Sequence, residues 1–304
     1  MMLFRALFFF FAGIPLAHGA LLWSYSYSGG GVAGGGYLTT TNTQSGGAYS
    51  ITGISGNRDA LPVEFLLSAG TYPASGGGLL FSDNKLYPGS PALGLGGFTM
   101  QAGTDLYNVY NTGGAYYDLA GADCGAATCG QPGNLGTSII FTATLVPSLE
   151  WQFAYSGTGV TAGGELYTLA TPVSGHYQII GVNGLRNGEA MNALFPAGTY
   201  SASGGGLLFS DNFLFPSDPF LATGGFTFHA GIDRYNLYNT GGVYYDLAGA
   251  DCGGATCGQP GHLGTPVSFS ISKIPEPSSL ALIAAAVLAM LGMGTRGRKS
   301  LRKP

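Results

Sequence analysis

Glu150-Trp151-Gln152-Phe153-Ala154-Tyr155 decides the fold class. In an extended chain successive side chains point to opposite faces. Trp151, Phe153 and Tyr155 therefore share one face, and Glu150, Gln152 and Ala154 share the other. Trp23, Tyr25 and Tyr27 repeat the alternation. Further strands are predicted at 49–52, 79–81, 98–100, 106–110, 115–119 and 139–144, with clusters of Gly, Pro, Asn and Ser between them. No segment between the chain ends sustains a 3.6-residue period. The expectation is an all-β protein built as antiparallel β-sandwiches, with a small β-barrel as the alternative.

The chain is a duplication. Shifted by 128 positions, Trp23 falls on Trp151, Tyr49 on Tyr177, Cys124 on Cys252 and Cys129 on Cys257 without a gap. Ala74-Ser75-Gly76-Gly77-Gly78-Leu79-Leu80-Phe81-Ser82-Asp83-Asn84 recurs unchanged from Ala202 to Asn212, and the ten residues from Tyr116 to Gly125 recur from Tyr244 to Gly253. The period is too long for a solenoid. Two tandem β-domains are expected, 21–147 and 148–273, with the boundary near Val146-Pro147-Ser148.

Composition narrows the partners. Charged residues make up only 9% of the chain, and Gly supplies 54 of 304 residues with no three-residue period, which excludes collagen. Plentiful Tyr, Phe, Thr and Val exclude a disordered linker. From 21 to 273 fourteen Asp and Glu stand against five Lys and Arg, so this part is acidic and repels nucleic-acid phosphates.

The two ends read as targeting segments. Arg5, the apolar run from Ala6 to Leu16 and Ala17-His18-Gly19 have the order of a secretory signal peptide, assigned to 1–20, with the mature chain starting near Ala20 or Leu21. At the other end Pro275-Glu276-Pro277-Ser278 precedes an uncharged run to Gly294. As a helix that run is roughly 25 Å long, close to a bilayer's hydrocarbon thickness. Five of the eleven Lys and Arg residues follow it, which predicts a cytoplasmic tail.

This arrangement over 274–304 resembles the PEP-CTERM sorting signal of Gram-negative, biofilm-forming bacteria. The resemblance implies an exosortase-type protease as partner, cleavage near Pro275, Glu276 and Pro277, and an inner-membrane precursor destined for the cell surface or exterior. Tyr49-Ser50-Ile51-Thr52-Gly53-Ile54, Asp211-Asn212-Phe213-Leu214-Phe215-Pro216, Gly224-Gly225-Phe226 and Tyr235-Asn236-Leu237-Tyr238-Asn239 also resemble a module of PEP-CTERM proteins. That module implies β architecture and export but no reaction.

Few residues have the pattern of a chemical site. Cys124/Cys129 and Cys252/Cys257 are two close pairs that oxidise outside the cytoplasm; a zinc site using all four thiolates is the alternative. His176, His229 and His262 occur only in the second copy, facing Ala48, Gln101 and Asn134 in the first, so no His-based site is common to both. Asp83/Asp211, Asp105/Asp233, Asp118/Asp246 and Asp123/Asp251 are kept in both copies, and Arg58/Arg186 is the only shared base. Paired carboxylates could serve a glycan hydrolase or bind Ca²⁺. Turn chemistry is the stronger reading of Ser-Asp-Asn. Candidate ligand-binding residues are Asp83, Asn84, Tyr107, Asp211, Asn212 and Tyr235, which could offer amides, carboxylates and rings to a sugar. The expected function is a non-enzymatic surface or exopolysaccharide-matrix protein without metal or cofactor. A bivalent carbohydrate-binding protein is the alternative.

Overall fold

The computed structural model describes residues 19–125, 129, 134–253, 257 and 263–275. The first repeat contains β1 (Leu21–Gly29), β2 (Val32–Thr40), β3 (Tyr49–Arg58), β4 (Leu61–Leu66), β5 (Gly70–Pro73), β6 (Leu79–Ser82), β7 (Lys85–Leu86), β8 (Phe98–Ala102), β9 (Asp105–Thr112), β10 (Ala115–Ala120) and β11 (Thr137–Leu145). The second contains β12 (Ser148–Gly157), β13 (Val160–Leu169), β14 (Tyr177–Arg186), β15 (Glu189–Met191), β16 (Ala193–Leu194), β17 (Gly198–Ser201), β18 (Leu207–Ser210), β19 (Phe213–Leu214), β20 (Phe226–Ala230), β21 (Asp233–Thr240), β22 (Val243–Ala248) and β23 (Thr265–Lys273).

The all-β expectation holds, but the sandwich does not. Strands β1-β2-β3-β4-β8-β9-β10-β11 pair antiparallel in sequence around a ring, and β11 pairs back onto β1. The result is a closed eight-stranded barrel. Its physical cause is β1, which ladders on one side with β2 from Leu21↔Thr40 to Gly29↔Val32 and on the other with β11 from Trp23↔Leu145 to Ser28↔Ile140. Both sheet edges are consumed, and no open face remains for a second sheet to cover. In the second repeat β12-β13-β14-β15 and β20-β21-β22-β23 follow the same circuit, with β16 bridging to β20 at Leu194↔Phe228.

The barrel interior follows from the alternation. Trp23, Tyr25 and Tyr27 are buried with Leu38, Val63, Phe98, Met100, Val109 and Phe141. Trp151, Phe153 and Tyr155 occupy the same role among Leu166, Val182, Phe226, Phe228 and Leu237. Each Trp indole N–H is satisfied at 3.1 Å, by Thr40 Oγ1 in one repeat and Thr168 Oγ1 in the other. The glycine run Gly34-Gly35-Gly36 in β2 makes room for these rings and for tight curvature. Gly36 faces Gly56 across the ladder, and a Cβ on Gly36 would collide with the Ser55 carbonyl and lie 2.6 Å from Gly56 Cα.

Both repeats belong to one compact unit, Ala20–Ile274. β16 pairs in parallel with β3 at Ala193↔Ile54 and Leu194↔Ser55, which joins the barrel walls directly. Ile54 N–H donates to Asn192 O at 2.9 Å and Ser55 Oγ to Ile180 O at 2.6 Å. Leu22, Tyr167 and Ile180 form a separate apolar cluster drawing on both repeats. Among the described residues no helix is long and apolar enough to cross a membrane. The expected helix after Ser278 and nearly all of the expected signal peptide lie outside the described residues.

Gly36→Ala should destabilise the protein by about 1–3 kcal/mol through overpacking of the β2–β3 ladder. Gly89→Ala, where an added Cβ meets nothing within 4 Å, should change stability by less than about 0.5 kcal/mol. Urea unfolding followed by tryptophan fluorescence distinguishes them, and equal effects would refute the steric account.

Candidate functional site

One barrel opening in each repeat holds an ion pair capped by a tyrosine ring. Arg58 ends β3, and its Nε donates to Asp118 Oδ2 on β10 at 2.9 Å. Arg58 also reaches Asp59 at 2.8 Å, and its guanidinium lies 3.7 Å from the Tyr107 ring centre. Tyr27 Oη is buried beside the Asp118 carboxylate, an acceptor in reach of the phenol, although neither Oη nor Asp118 Oδ1 makes a hydrogen bond of ordinary geometry. In the second repeat Arg186 grips Asp246 through Nε at 2.9 Å and a terminal nitrogen at 3.0 Å, over the Tyr235 ring at 3.6 Å. Burial raises the Asp118 carboxyl above the ordinary range while Arg58 opposes the rise.

This arrangement suits an anchor better than an acid or base. The guanidinium stays charged at any accessible pH, and the carboxylate facing it is committed to the pair. Asp105 and Asp233 are committed too, whereas Asp123 and Asp251 are exposed. Asp105 accepts from Ser75 Oγ at 2.6 Å and from the Leu106 and Ala122 amides, both at 2.9 Å. Asp233 does the same with Ser203 at 2.6 Å and with the Arg234 and Ala250 amides at 2.8 Å.

Asp83-Asn84 and Asp211-Asn212 belong to a different network. Asn84 adopts a left-handed conformation, φ +50°, accepts from Ser82 Oγ at 2.6 Å and donates to Leu67 O at 2.7 Å. Asn212 repeats this at φ +56°, with Ser210 at 2.5 Å and Phe195 O at 2.8 Å. Asp83 accepts from the Lys85 amide at 3.3 Å, and Asp211 from the Phe213 amide at 3.1 Å. The Ser–Asn and Asp–amide bonds are turn-forming, and the Asn84 and Asn212 amides tie each turn to a carbonyl 17 residues earlier. Tyr107 and Tyr235 each present a face to arginine, in networks separate from these turns.

The two unchanged sequence blocks meet each other. The β5–β6 hairpin lies outside the barrel, and its Gly76 and Gly78 amides donate at 2.9 Å to Gly121 O and Cys124 O. A Cβ on Gly76 would sit 2.6 Å from both Ala122 O and Cys124 O, so the approach requires glycine. Cys124 is buried against Ala74, Leu80, Tyr110 and Leu119. Disulfides link Cys124 to Cys129 and Cys252 to Cys257, each with Cα atoms 5.4 Å apart, which replaces the four-thiolate zinc alternative. Among the described residues no cluster of three or more His, Cys, Asp or Glu is arranged to hold a metal ion.

The sequence did not reveal a cleft of mixed polar and apolar lining at the junction of the repeats. It is open to solvent on one side, has a volume of about 240 Å³ and is lined by Glu64, Ser203, His229, Ile232, Asp233 and Arg234, among others. The first pairing register of β4 slips between Val63 and Phe65, a bulge that aims Glu64 at the second repeat. Arg234 meets Glu64 at 2.6 Å and donates to Ser201 O at 2.5 Å. His229 packs on Phe65 with ring centres 5.0 Å apart. Burial, then the Arg234 charge, lowers the His229 pKa, so its imidazole is neutral at pH 7. His176 instead packs on Phe213, 3.8 Å between ring centres, and His262 lies outside the described residues. The available signal was divergence between copies: Glu64, His229 and Arg234 correspond to Asn192, Gln101 and Leu106.

The chain matches no family model, no curated protein and no solved structure.

Removing one partner of a buried ion pair strands the other charge and costs about 3–5 kcal/mol. Asp246→Asn should fall in that range by urea unfolding. Asp118→Asn should cost less, because Arg58 keeps Asp59, whereas Asn187 stands at the corresponding place beside Arg186. Equal losses would remove Asp59 from the account. Replacing Cys124 and Cys129 by Ser should cost about 2 kcal/mol, from the closure entropy of a short loop. Hydrogen exchange should then accelerate in β5 and β6 but not in β1; acceleration throughout the barrel would contradict a local role.

Proposed function

We propose that this chain is a non-enzymatic exported protein of the cell surface or exopolysaccharide matrix, made as a membrane-anchored precursor and cut at a PEP-CTERM-type signal by an exosortase-type protease. The observation that carries this reading is where the folded unit begins and ends. It runs Ala20–Ile274, bounded by the expected signal-peptide cleavage point and by Pro275 of the sorting motif; Glu276 and Pro277 lie outside the described residues.

The two ends also leave the fold at one place. The Ile274 amide donates to Glu150 O at 2.8 Å. The Glu150 carboxyl, pushed up to about 7 by burial and by Glu165, is drawn the other way by the Ala20 amide. A precursor held in one membrane by both a signal peptide and a C-terminal helix needs its two exits on one side of the exported body. Two disulfides within short loops suit an oxidising compartment. The commitment of Asp118/Asp246, Asp105/Asp233 and Asp83/Asp211 to ion-pair or hydrogen-bond partners supports display over hydrolysis.

Intact-mass analysis and peptide mapping of the protein from its own host test the proposal, in cells with and without the sorting protease. A chain beginning at Ala20 or Leu21 and ending near Pro275 to Pro277, only when the protease is present, is the expected result. Retention of Arg296 to Lys303 in both strains would reject sorting and leave a single-pass anchored protein.

A further inference from the structure

The junction cavity combines groups that neither repeat holds alone. Glu64 is contributed by the first barrel, and His229, Ile232, Asp233 and Arg234 by the second. Its charges constrain what fits. Glu64 and Arg234 neutralise each other, His229 is neutral, and Asp233 leaves one net negative charge. An anion would meet two carboxylates. A cation would meet the Arg234 guanidinium, and among the described residues Glu64, His229 and Asp233 are not arranged to converge on one metal ion.

Hydrogen-bonding capacity remains for a neutral ligand. Glu64 engages Arg234 through Oε1, leaving Oε2 as an acceptor. Among the described residues the His229 ring makes no hydrogen bond, so it offers one donor and one acceptor. Ile232 is fully exposed at the rim and supplies an apolar surface. At about 240 Å³ the cavity is smaller than the ~300–1,000 Å³ of sites that take drug-sized ligands. Alternating acceptors and donors beside one aliphatic surface match a ring bearing several hydroxyls on one edge and C–H groups on a face.

We propose that the junction cavity binds a neutral polyhydroxylated ligand of one pyranose ring, with Glu64 Oε2 accepting from its hydroxyls, His229 and Arg234 hydrogen-bonding to them, and Ile232 packing under the ring. The site is single. The corresponding residues Asn192, Gln101 and Leu106 do not reproduce it, so stoichiometry is one per chain and not the two that a bivalent repeat protein would show. The inference rests on the cavity and not on sorting, and it stands or falls independently of C-terminal cleavage.

Isothermal titration calorimetry tests it on the full chain, held in a detergent without a sugar headgroup. The probes are methyl α-glucoside, methyl α-galactoside and N-acetylglucosamine at millimolar concentrations, with glucuronate as the charged counterpart. At least one neutral probe should bind with one site per chain, and glucuronate more weakly. His229→Gln places in the second repeat the residue found in the first and leaves the Glu64–Arg234 pair intact; it should weaken binding by about tenfold or more. Unchanged circular dichroism and melting temperature would show that the variant folds. The proposal is overturned if none of the three neutral probes binds, if two equivalents bind, if glucuronate binds as tightly, or if His229→Gln retains affinity.

Discussion

Closure through β1 is the constraint on which the first barrel depends, and β12 repeats it in the second. β1 is the strand that follows the expected signal peptide, and it must find β11 more than a hundred residues later: Ser26 Oγ and Thr142 Oγ1 meet at 2.9 Å across a separation of 116 residues. Until that ladder forms, β1 and β11 are both open edges with unpaired backbone groups. Once it forms, the rings of β1 are sealed inside, with Tyr25 2% and Tyr27 3% exposed. The contact that sets the barrel is therefore also its most non-local one. The order of formation that this implies, local hairpins before closure, follows from the entropy of bringing distant segments together.

The same contrast between local and distant information explains what could be read from the sequence. The alternation around Trp23 and Trp151 is local, so strand identity and the all-β class were legible. β2 and β13 were not read as strands, because Val32-Ala33-Gly34-Gly35-Gly36 carries the composition of a turn. Its glycines are there because the Tyr27 ring lies where a Cβ of Gly34 would be, a reason that belongs to the neighbouring strand. Sandwich and barrel differ only in whether β1 pairs with β11, and the apolar pattern of β11 is the same in either. Arg58 was identifiable as the one base kept in both copies. Which of four shared acids it joins, across 60 residues, was not.

The candidate residues divided along similar lines. Asn84 and Asn212 were correctly suspected as turn formers, since the Ser-Asp-Asn pattern encodes its own hydrogen bonds within two residues. Tyr107 and Tyr235 were candidates to offer rings to a sugar, and each ring lies against an arginine. Further along β9, Val109 lies in the barrel core and Tyr110 lies under the outer hairpin cluster. Asn108 is buried and donates to Gly96 O at 2.9 Å and Thr99 Oγ1 at 3.0 Å. The outer hairpin explains why the blocks around Ala74 and Tyr116 are unchanged between copies: each is the other's packing partner.

A duplicated chain gives each copy only one neighbour, so the copies are free to differ where they meet while their barrels stay alike. Position 64 and its counterpart 192 make the case. In the first copy the β4 register slips around Glu64, and in the second the strand is interrupted at Asn192 between β15 and β16. The backbone irregularity is common to both and turns this side chain toward the other repeat. The chemistry then diverges. Glu64 meets a guanidinium, whereas Asn192 donates to Leu66 O at 2.9 Å and its carbonyl accepts from Ile54. Asn192 ties the second repeat to the backbone of the first at two points, through its side-chain amide and its main-chain carbonyl. Glu64 is the partner whose second carboxylate oxygen is left over, and that difference turns one side of a structural seam into a cavity with chemistry of its own.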